Sequence, residues 1–568
     1  MKTTNLRFLA FFVATTALLS SCGGLGKMEK YIEELNAKAE PEPLIVRGDS
    51  IEVNITGKFP DKYFHKKVIV EATPVLTYDG GETAFEMKGF QGEDAAGNYE
   101  VIPYEGGKSF SYTDVIAYED GMQVSELELR IQGSKGSKSE VFEPLVVGSG
   151  VITTPYLMQD DDRPIMSSDD FQRVLSMTKN ATINYAYNSS NVRSGELRQD
   201  DIKAMNAFIA EAAEADSLVL KGTQVDAYAS PEGEISLNEN LAQERAESAN
   251  AVIAKQIKRE KIEVENPEAF YTNNPKGEDW EGFKDLMQES SIEDKNLILR
   301  VLEMYTDVQK REQEIKNISK TYREIEKEIL PALRRSQITL NYDVEGYTDE
   351  ELKVLVMSNP EMLTVEEILF SATLFDGLND KLNIYESAER LYPEDYRGVN
   401  NVGYVLFLQA KKDEAASQFE KAWNIEQAPE VANNMGIAAR LNGDRDGALD
   451  FFEQSASAGS DVNYNKGLVL IQKGEYTSAV NNMGSNNTMN TGLAKLLNGD
   501  VSGAQAAIDN SGDNSAMADY FRAVVAARQN DSQGVLTNIQ KAVAADSTLA
   551  DKAKKDMEFR DYWAQFSF

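Results

Sequence analysis

One cysteine and one histidine among 568 residues exclude most thiol and metal chemistry before any motif is sought. An intramolecular disulfide, a Cys/His zinc cluster and a paired-histidine metal site are all ruled out. Positive charge is also scarce: 58 Lys and Arg stand against 93 Asp and Glu, a net charge of −35. Such a surface repels phosphate backbones, so no nucleic-acid partner is expected, and it avoids an anionic leaflet unless a lipid holds it there. The chain has no Walker loop, dinucleotide fingerprint or nucleophile elbow. Close acidic pairs arise by chance among 93 carboxylates and identify no glycosidase. His65, in Phe64-His65-Lys66-Lys67, reads as a surface residue at the start of a strand. No enzyme, metal or diffusible cofactor is expected. Long apolar runs are missing after the first twenty residues. Phe8 to Leu19, preceded by Lys2 and Arg7, is too short to cross a ~30 Å hydrocarbon layer but suits a signal-peptide core.

What is present has ordinary globular composition, 42% apolar and 27% charged, and the length suits about three or four domains of ~100–200 residues. The apolar run ends in Leu19-Ser20-Ser21-Cys22, followed by Gly23-Gly24. This resembles the lipobox of bacterial lipoproteins, which implies cleavage before Cys22 and a covalent lipid on it. Residues 1–21 are then the signal peptide and 22–43 a lipidated tether. Each buried methylene contributes roughly 0.8 kcal/mol, so several acyl chains hold a protein at a bilayer. The implied location is the outer membrane. No acidic cluster directly follows Cys22, which favours a periplasm-facing chain over a surface-exposed one. Met28 to Glu40 suits a short helix, ended by Pro41-Glu42-Pro43.

Residues 44–158 read as strands. Ser50 to Ile55 and Ser125 to Ile131 alternate apolar with polar, and Asp79-Gly80-Gly81, Glu105-Gly106-Gly107 and Gly133 to Gly136 mark turns. Short strands at this spacing predict a β-sandwich, which serves as a spacer or docking surface more often than as a catalyst. Gln159-Asp160-Asp161-Asp162-Arg163 opens a segment, 159–179, that reads as a solvated linker.

From Ala181 the pattern becomes strand, helix, strand, helix: Thr182–Tyr187, Asp200 to about Ala215, Leu218–Tyr228, and a helix through Leu241 and Arg245 to about Ile257. Asn238-Glu239-Asn240-Leu241-Ala242-Gln243-Glu244-Arg245-Ala246 resembles the helix motif of OmpA-like domains. The resemblance implies an α/β domain over 180–345 that binds peptidoglycan. It makes Arg245 the arginine that grips diaminopimelate and puts Ser230 where the family has an aspartate. Asn238 is the motif's first residue. Glu232, in Ser230-Pro231-Glu232-Gly233, is the nearest carboxylate to stand in for that aspartate. A helical insertion over about 260–328 precedes the returning Leu333-Arg334-Arg335 segment, all in the Bacteroidota style. Ile298, Val301, Leu302 and Tyr305 share one helix face, so the insertion is expected to pack against its own domain.

The last two hundred residues repeat. Gly403/Ala415, Gly436/Ala448, Gly467/Ala479 and Gly492/Ala504 lie twelve apart, with Ala523/Val535 a fifth pair. Phe419, Phe452, Met483, Ile508 and Ile539 follow four positions on. The pattern resembles tetratricopeptide repeats, in which small residues let paired helices approach and a large residue fills the gap. An all-α solenoid over 346–568 follows, with a face for a peptide or protein. Asn442 to Glu453 mimics an EF-hand loop, but the repeat register makes Asp446 onward a helix.

The expected molecule is therefore multidomain α+β. It has an N-terminal β-sandwich, a central OmpA-like α/β domain with a helical insertion, and a C-terminal repeat solenoid. Its expected role is a lipid-anchored envelope scaffold joining outer membrane to peptidoglycan and holding protein partners on its repeats. The alternative is an accessory lipoprotein of an outer-membrane assembly or secretion machine that binds only proteins.

Overall fold

The computed structural model describes residues 24–568; the signal segment and Cys22 lie outside them. The chain forms two compact units, one of residues to Ser168 together with Gly377–Phe568, the other of Asp169–Asp376.

The supposed tether folds from Gly24 onward. Leu25–Lys30 is a helix and Ile32–Leu35 a 3-10 turn, and Leu25, Met28, Ile32 and Leu35 are buried. Spacing of three and four residues puts these side chains on one stripe, which packs into the β core. The Tyr63 hydroxyl donates to the Met28 carbonyl at 2.7 Å. Among the described residues, twelve strands between Lys38 and Ile152 make a five-stranded and a seven-stranded sheet. Ile51, Val53 and Ile55 of the first and Val70, Leu76, Leu127 and Leu129 of the second share one apolar core. The alternation of Ser50–Ile55 and Ser125–Ile131 is thus the alternation between core and surface. His65 is half-buried rather than a plain surface residue: its Nε2 lies 3.0 Å from Lys135 Nζ. Burial, then the Lys135 charge, hold its pKa below the usual range.

In the second unit, strand β1 (Val174–Asn184), helix α1 (Asp200–Ala212), strand β2 (Leu218–Ala229), helix α2 (Ile235–Arg259), and strands β3 (Tyr271–Glu278) and β4 (Arg335–Glu345) form one layer pair. The sheet order is β1-β4-β2-β3; β2 and β3 are parallel and the other pairs antiparallel. Strand β1 begins at Val174, inside the segment assigned to the linker, where Val174, Leu175 and Met177 are exposed. Strand β3 was not legible: Asn273-Asn274-Pro275 breaks the apolar alternation, so the insertion starts after Glu278 rather than at 260. The insertion comprises Trp280–Glu289, Lys295–Met304, Val308–Asn317, Ser319–Glu328 and Leu330–Leu333, shorter helices in place of one long one. Phe283, Ile298, Val301, Ile315, Ile325 and Leu333 give it an apolar core, with Leu302 and Tyr305 against it, as the helix face implied. Two further helices, Asp349–Ser358 and Val365–Thr373, start on capping boxes at Thr348/Glu351 and Thr364/Glu367. They belong to this unit, so residues 346–376 are not the start of the repeats.

The repeats return to the first unit as five helix pairs: α3 (Tyr396–Leu408) and α4 (Lys412–Ile425), α5 (Pro429–Leu441) and α6 (Arg445–Gln454), α7 (Ser460–Gln472) and α8 (Tyr476–Met483), α9 (Met489–Leu497) and α10 (Val501–Asp509), α11 (Ala516–Arg528) and α12 (Ser532–Ala545). Asp444, Asp500 and Asp531 cap α6, α10 and α12 by accepting from the amides of Gly447, Gly503 and Gly534. Asp444 therefore serves as a helix cap within the EF-hand-like stretch. A Cβ at Gly403 would come 2.6 Å from the Phe419 ring, at Gly436 2.6 Å from Phe452, and at Gly467 2.4 Å from Met483 Cγ. Ala415, Ala448 and Ala479 are fully buried beside them. Gly492 departs from the pattern and meets Phe521 of α11 rather than Ile508. The sheets are tied to the repeats by polar contacts: Arg445 pairs with Asp49 at 2.6 Å and Arg560 with Glu42 at 2.7 Å, and Arg47 Nε donates to the Gly474 carbonyl at 3.0 Å.

Candidate functional sites

The first candidate is the end of β2 with the start of α2. Ser230, Glu232 and Asn238 do come together there. Ser230 Oγ donates to Glu232 Oε1 at 2.6 Å, and Asn238 Nδ2 donates to the Glu232 carbonyl at 3.1 Å and to Glu278 Oε1 at 2.8 Å. Arg334, visible in the sequence as part of the returning segment but not expected at the site, donates from Nη2 to Glu232 Oε1 at 2.7 Å, both side chains being about one-tenth exposed. The signal was the Arg334-Arg335 pair itself. Arg335 in turn pairs with Asp279 at 2.7 Å.

Arg245 is 0% exposed. Its Nε donates to the Ser189 carbonyl at 3.0 Å, Nη1 to Tyr228 at 2.8 Å and Nη2 to Ala186 at 3.4 Å. The guanidinium is thus held by neutral backbone acceptors, and burial pulls its pKa down to about 10. A ligand carboxylate would have to replace those carbonyls to reach it. Glu232, the stand-in carboxylate, is already neutralised by Arg334.

The second candidate lies in the segment expected to be a solvated linker, and here the expectation is corrected. Residues 157–168, extended beyond the 3-10 turn Thr154–Leu157, form a strap laid on the first helices of four repeats. Leu157 is buried in the repeat core, and Asp162 and Ser167 are 7% and 2% exposed. Four asparagines hold the backbone, each taking both polar groups of one residue. Asn401 Nδ2 donates to the Ser167 carbonyl at 2.9 Å and its Oδ1 accepts the Ser167 amide at 2.8 Å. Asn434 does the same to Ile165, at 2.8 Å for both bonds. Asn465 holds Arg163 at 2.9 and 2.8 Å, and Asn490 holds Gln159 at 2.8 and 2.9 Å. The residues held are 167, 165, 163 and 159. Side chains of an extended chain alternate, so one edge of the backbone faces the helices throughout. Pro164, which has no amide proton, falls on an unread position.

Each asparagine stands two residues before a glycine of the repeat pattern: Asn401/Gly403, Asn434/Gly436, Asn465/Gly467, Asn490/Gly492. The glycine sets the close helix pair and the asparagine faces the strap from the same turn. Asn400 and Asn433 brace the ladder, accepting from Asn434 at 2.8 Å and Asn465 at 2.9 Å. All six asparagines are at most 1% exposed.

The acidic side chains of the strap are also matched. Arg440 Nε donates to Asp162 Oδ1 at 2.6 Å and Nη2 to Asp160 Oδ1 at 2.9 Å. Lys412 lies 3.3 Å from Asp160. The Tyr464 hydroxyl donates to Asp161 at 2.6 Å, and the Arg163 guanidinium sits 3.8 Å over the Tyr464 ring while bonding Asp461 and Asn486 at 3.0 Å. Burial works against the Arg440 charge, but the hydrogen bond and charge of Asp162, then Asp160, hold its pKa above the usual value.

Among the described residues there is no cluster of three His, Cys, Asp or Glu that could hold a metal, and no helix is long and apolar enough to cross a membrane. No family model matches the chain, and no curated protein matches it. Solved structures match at low similarity. A chain of the APC/C hetero-tetramer Cut9-Hcn1 is 14% identical with a TM-score of 0.32, the match covering 37% of this chain and 46% of that one, less than half its length. A tetratricopeptide repeat protein from Parabacteroides merdae is 13% identical over 37% of this chain and 91% of that one, with a TM-score of 0.29. YrrB, described as a tetratricopeptide repeat protein with an unusual peptide-binding site, is 18% identical over 37% of this chain and 100% of that one, with a TM-score of 0.22. The repeats are tetratricopeptide-like. At TM-scores this low the likenesses carry no weight; the assignment stands on the helix pairing and the glycine contacts.

Proposed function

We propose that the chain is a lipid-anchored scaffold of the bacterial envelope that binds polypeptide rather than cell wall. The observation that carries this reading is the asparagine ladder. Four side chains at one position of successive repeats take the amide and carbonyl of an extended chain, which is a way of recognising protein. The lipobox at Cys22 supplies the anchor and the outer membrane the location, so the role fits an accessory lipoprotein of an outer-membrane machine.

The wall-tethering reading keeps one support: the OmpA-like helix motif on α2 within a strand–helix–strand–helix domain. Against it stand the carbonyl-bound Arg245 and the Glu232–Arg334 pair, which leave no exposed charge pair for the ammonium and carboxylate of diaminopimelate. Co-sedimentation of residues 23–568 with purified sacculi decides between them. Neither the parent chain nor Arg245→Ala is expected to pellet; pelleting that Arg245→Ala abolishes would restore the wall tether. Cys22→Ser is expected to remove all fatty-acid label in cells.

A further inference from the structure

The strap has the contacts of a bound ligand. Among the described residues, 159–168 make no backbone-to-backbone hydrogen bond; side chains of the repeats take the amides and carbonyls of Gln159, Arg163, Ile165 and Ser167. A segment held in this way is read mainly as backbone, so another extended chain can take the same bonds. Its side chains add a charge pattern. Arg440 and Lys412 receive Asp160 and Asp162, Tyr464 and Asn490 receive Asp161, and Asp461 with Asn486 receives Arg163. The side chains of Asp160 and Arg163 remain partly open to solvent, at 50% and 31%.

We propose that residues 157–168 are a displaceable occupant of the ladder. The same ladder takes, in trans, an extended partner segment in which two or three consecutive carboxylates precede an arginine–proline pair. The inference rests on the polypeptide-binding reading and adds the partner's chemistry and the means of control. While the strap is seated, a partner competes with a tethered segment whose effective concentration is on the order of millimolar. Binding in trans is therefore suppressed until the strap is loosened.

The test uses residues 24–568 and a fluorescent peptide with the strap's own sequence, Leu157 to Ser168. The double variant Asp160→Asn/Arg163→Gln loosens the strap at two solvent-facing side chains and leaves the buried Arg440–Asp162 pair in place. The peptide is expected to bind this variant at least about tenfold tighter than the parent chain, the effect of removing a tethered competitor at about millimolar effective concentration when the segment's own Kd is about 0.1 mM or tighter. Adding Asn434→Ala is expected to abolish that binding. A double variant that keeps its helical circular dichroism and binds no tighter than the parent would overturn the proposal. Equal binding of a scrambled peptide would overturn the acidic-then-arginine pattern. Hydrogen exchange on the unaltered chain gives a second measurement. The Ile165 and Ser167 amides are expected to be at least tenfold less protected than that of Gly436, because the strap opens without unfolding α5; equal protection would make the strap a fixed part of the core. Pelleting with sacculi would restore the wall tether in place of the protein-only role and leave these outcomes untouched.

Discussion

Arg245 and Arg440 are both buried arginines on helices, at 0% and 2% exposure, and their surroundings are opposite in kind. Arg245 is ringed by neutral carbonyls of its own domain, and its pKa falls to about 10. Arg440 faces two carboxylates from a segment 278 and 280 residues away, and its pKa rises. The difference separates a cation absorbed into a fold from one that reads a segment. Carbonyls around Arg245 are fixed by β2 and the loop after β1, and nothing there can leave without unfolding. The carboxylates on Arg440 belong to a strap without secondary structure of its own. A family motif had drawn attention to the first arginine; the binding geometry is at the second.

The comparison breaks most visibly at Arg440. Arg440→Ala leaves Asp162, whose side chain is 0% exposed, buried and unpaired, which costs about 3–5 kcal/mol. Hydrogen exchange should show the loss across α5 and α7 and in the strap. Next comes Gly436→Val, which forces a side chain into the Phe452 ring, at a cost of about 1–3 kcal/mol. Because Asn434 sits half a turn away, this variant should also lower the protection of the Ile165 amide; unchanged melting would argue against the repeat register. Arg245→Ala removes the donors of three carbonyls and costs about 1–3 kcal/mol. Its effect should stay within β1, β2 and α2.

The repeats were legible because close helix packing demands a small residue, and Gly and Ala at fixed spacing report that demand directly. Both sheets of the first region were legible as alternation. The strap was not, since an extended segment without a sheet partner has no periodicity of its own, and three aspartates in a row look like a solvated run. The signal lay in the helices instead. Asparagine is a poor helix former, yet Asn401, Asn434, Asn465 and Asn490 each stand mid-pattern two residues before a glycine. Polar residues at a fixed repeat position, inside apolar helices, mark a face that must satisfy something other than water. Arg334 was visible in the same sense, as half of an arginine pair whose partner carboxylate only the fold could supply. Residues 28–40 were legible in part: the expected short helix starts at Leu25, ends by Leu35 and gives way to a strand at Lys38–Glu40. The lipobox reading put it in a tether, although Leu25, Met28, Ile32 and Leu35 are spaced for one buried stripe.

The smallest effect sharpens the comparison through pH. Burial of Asp160 favours its neutral form, but the Arg440 hydrogen bond and charge, with Lys412, overcome this and hold its pKa below the usual carboxylate value. A carboxylate lowered in the folded state adds stability that is present above its unfolded pKa and lost as pH falls through the folded one. Asp161 runs the other way: burial raises its pKa despite Tyr464 and Asn490, so acidification relieves its cost. Asp160 is half exposed, so Asp160→Asn should cost under about 1 kcal/mol at neutral pH. That deficit, measured as a difference in melting temperature from the parent chain, should close as the pH falls below the usual carboxylate range and through the lowered pKa of Asp160. The Arg245→Ala deficit is set by carbonyls that do not titrate, so it should stay level over the same range. A deficit that closed equally in both variants would mean that the two arginines answer to the same charges, and the distinction between them would fall.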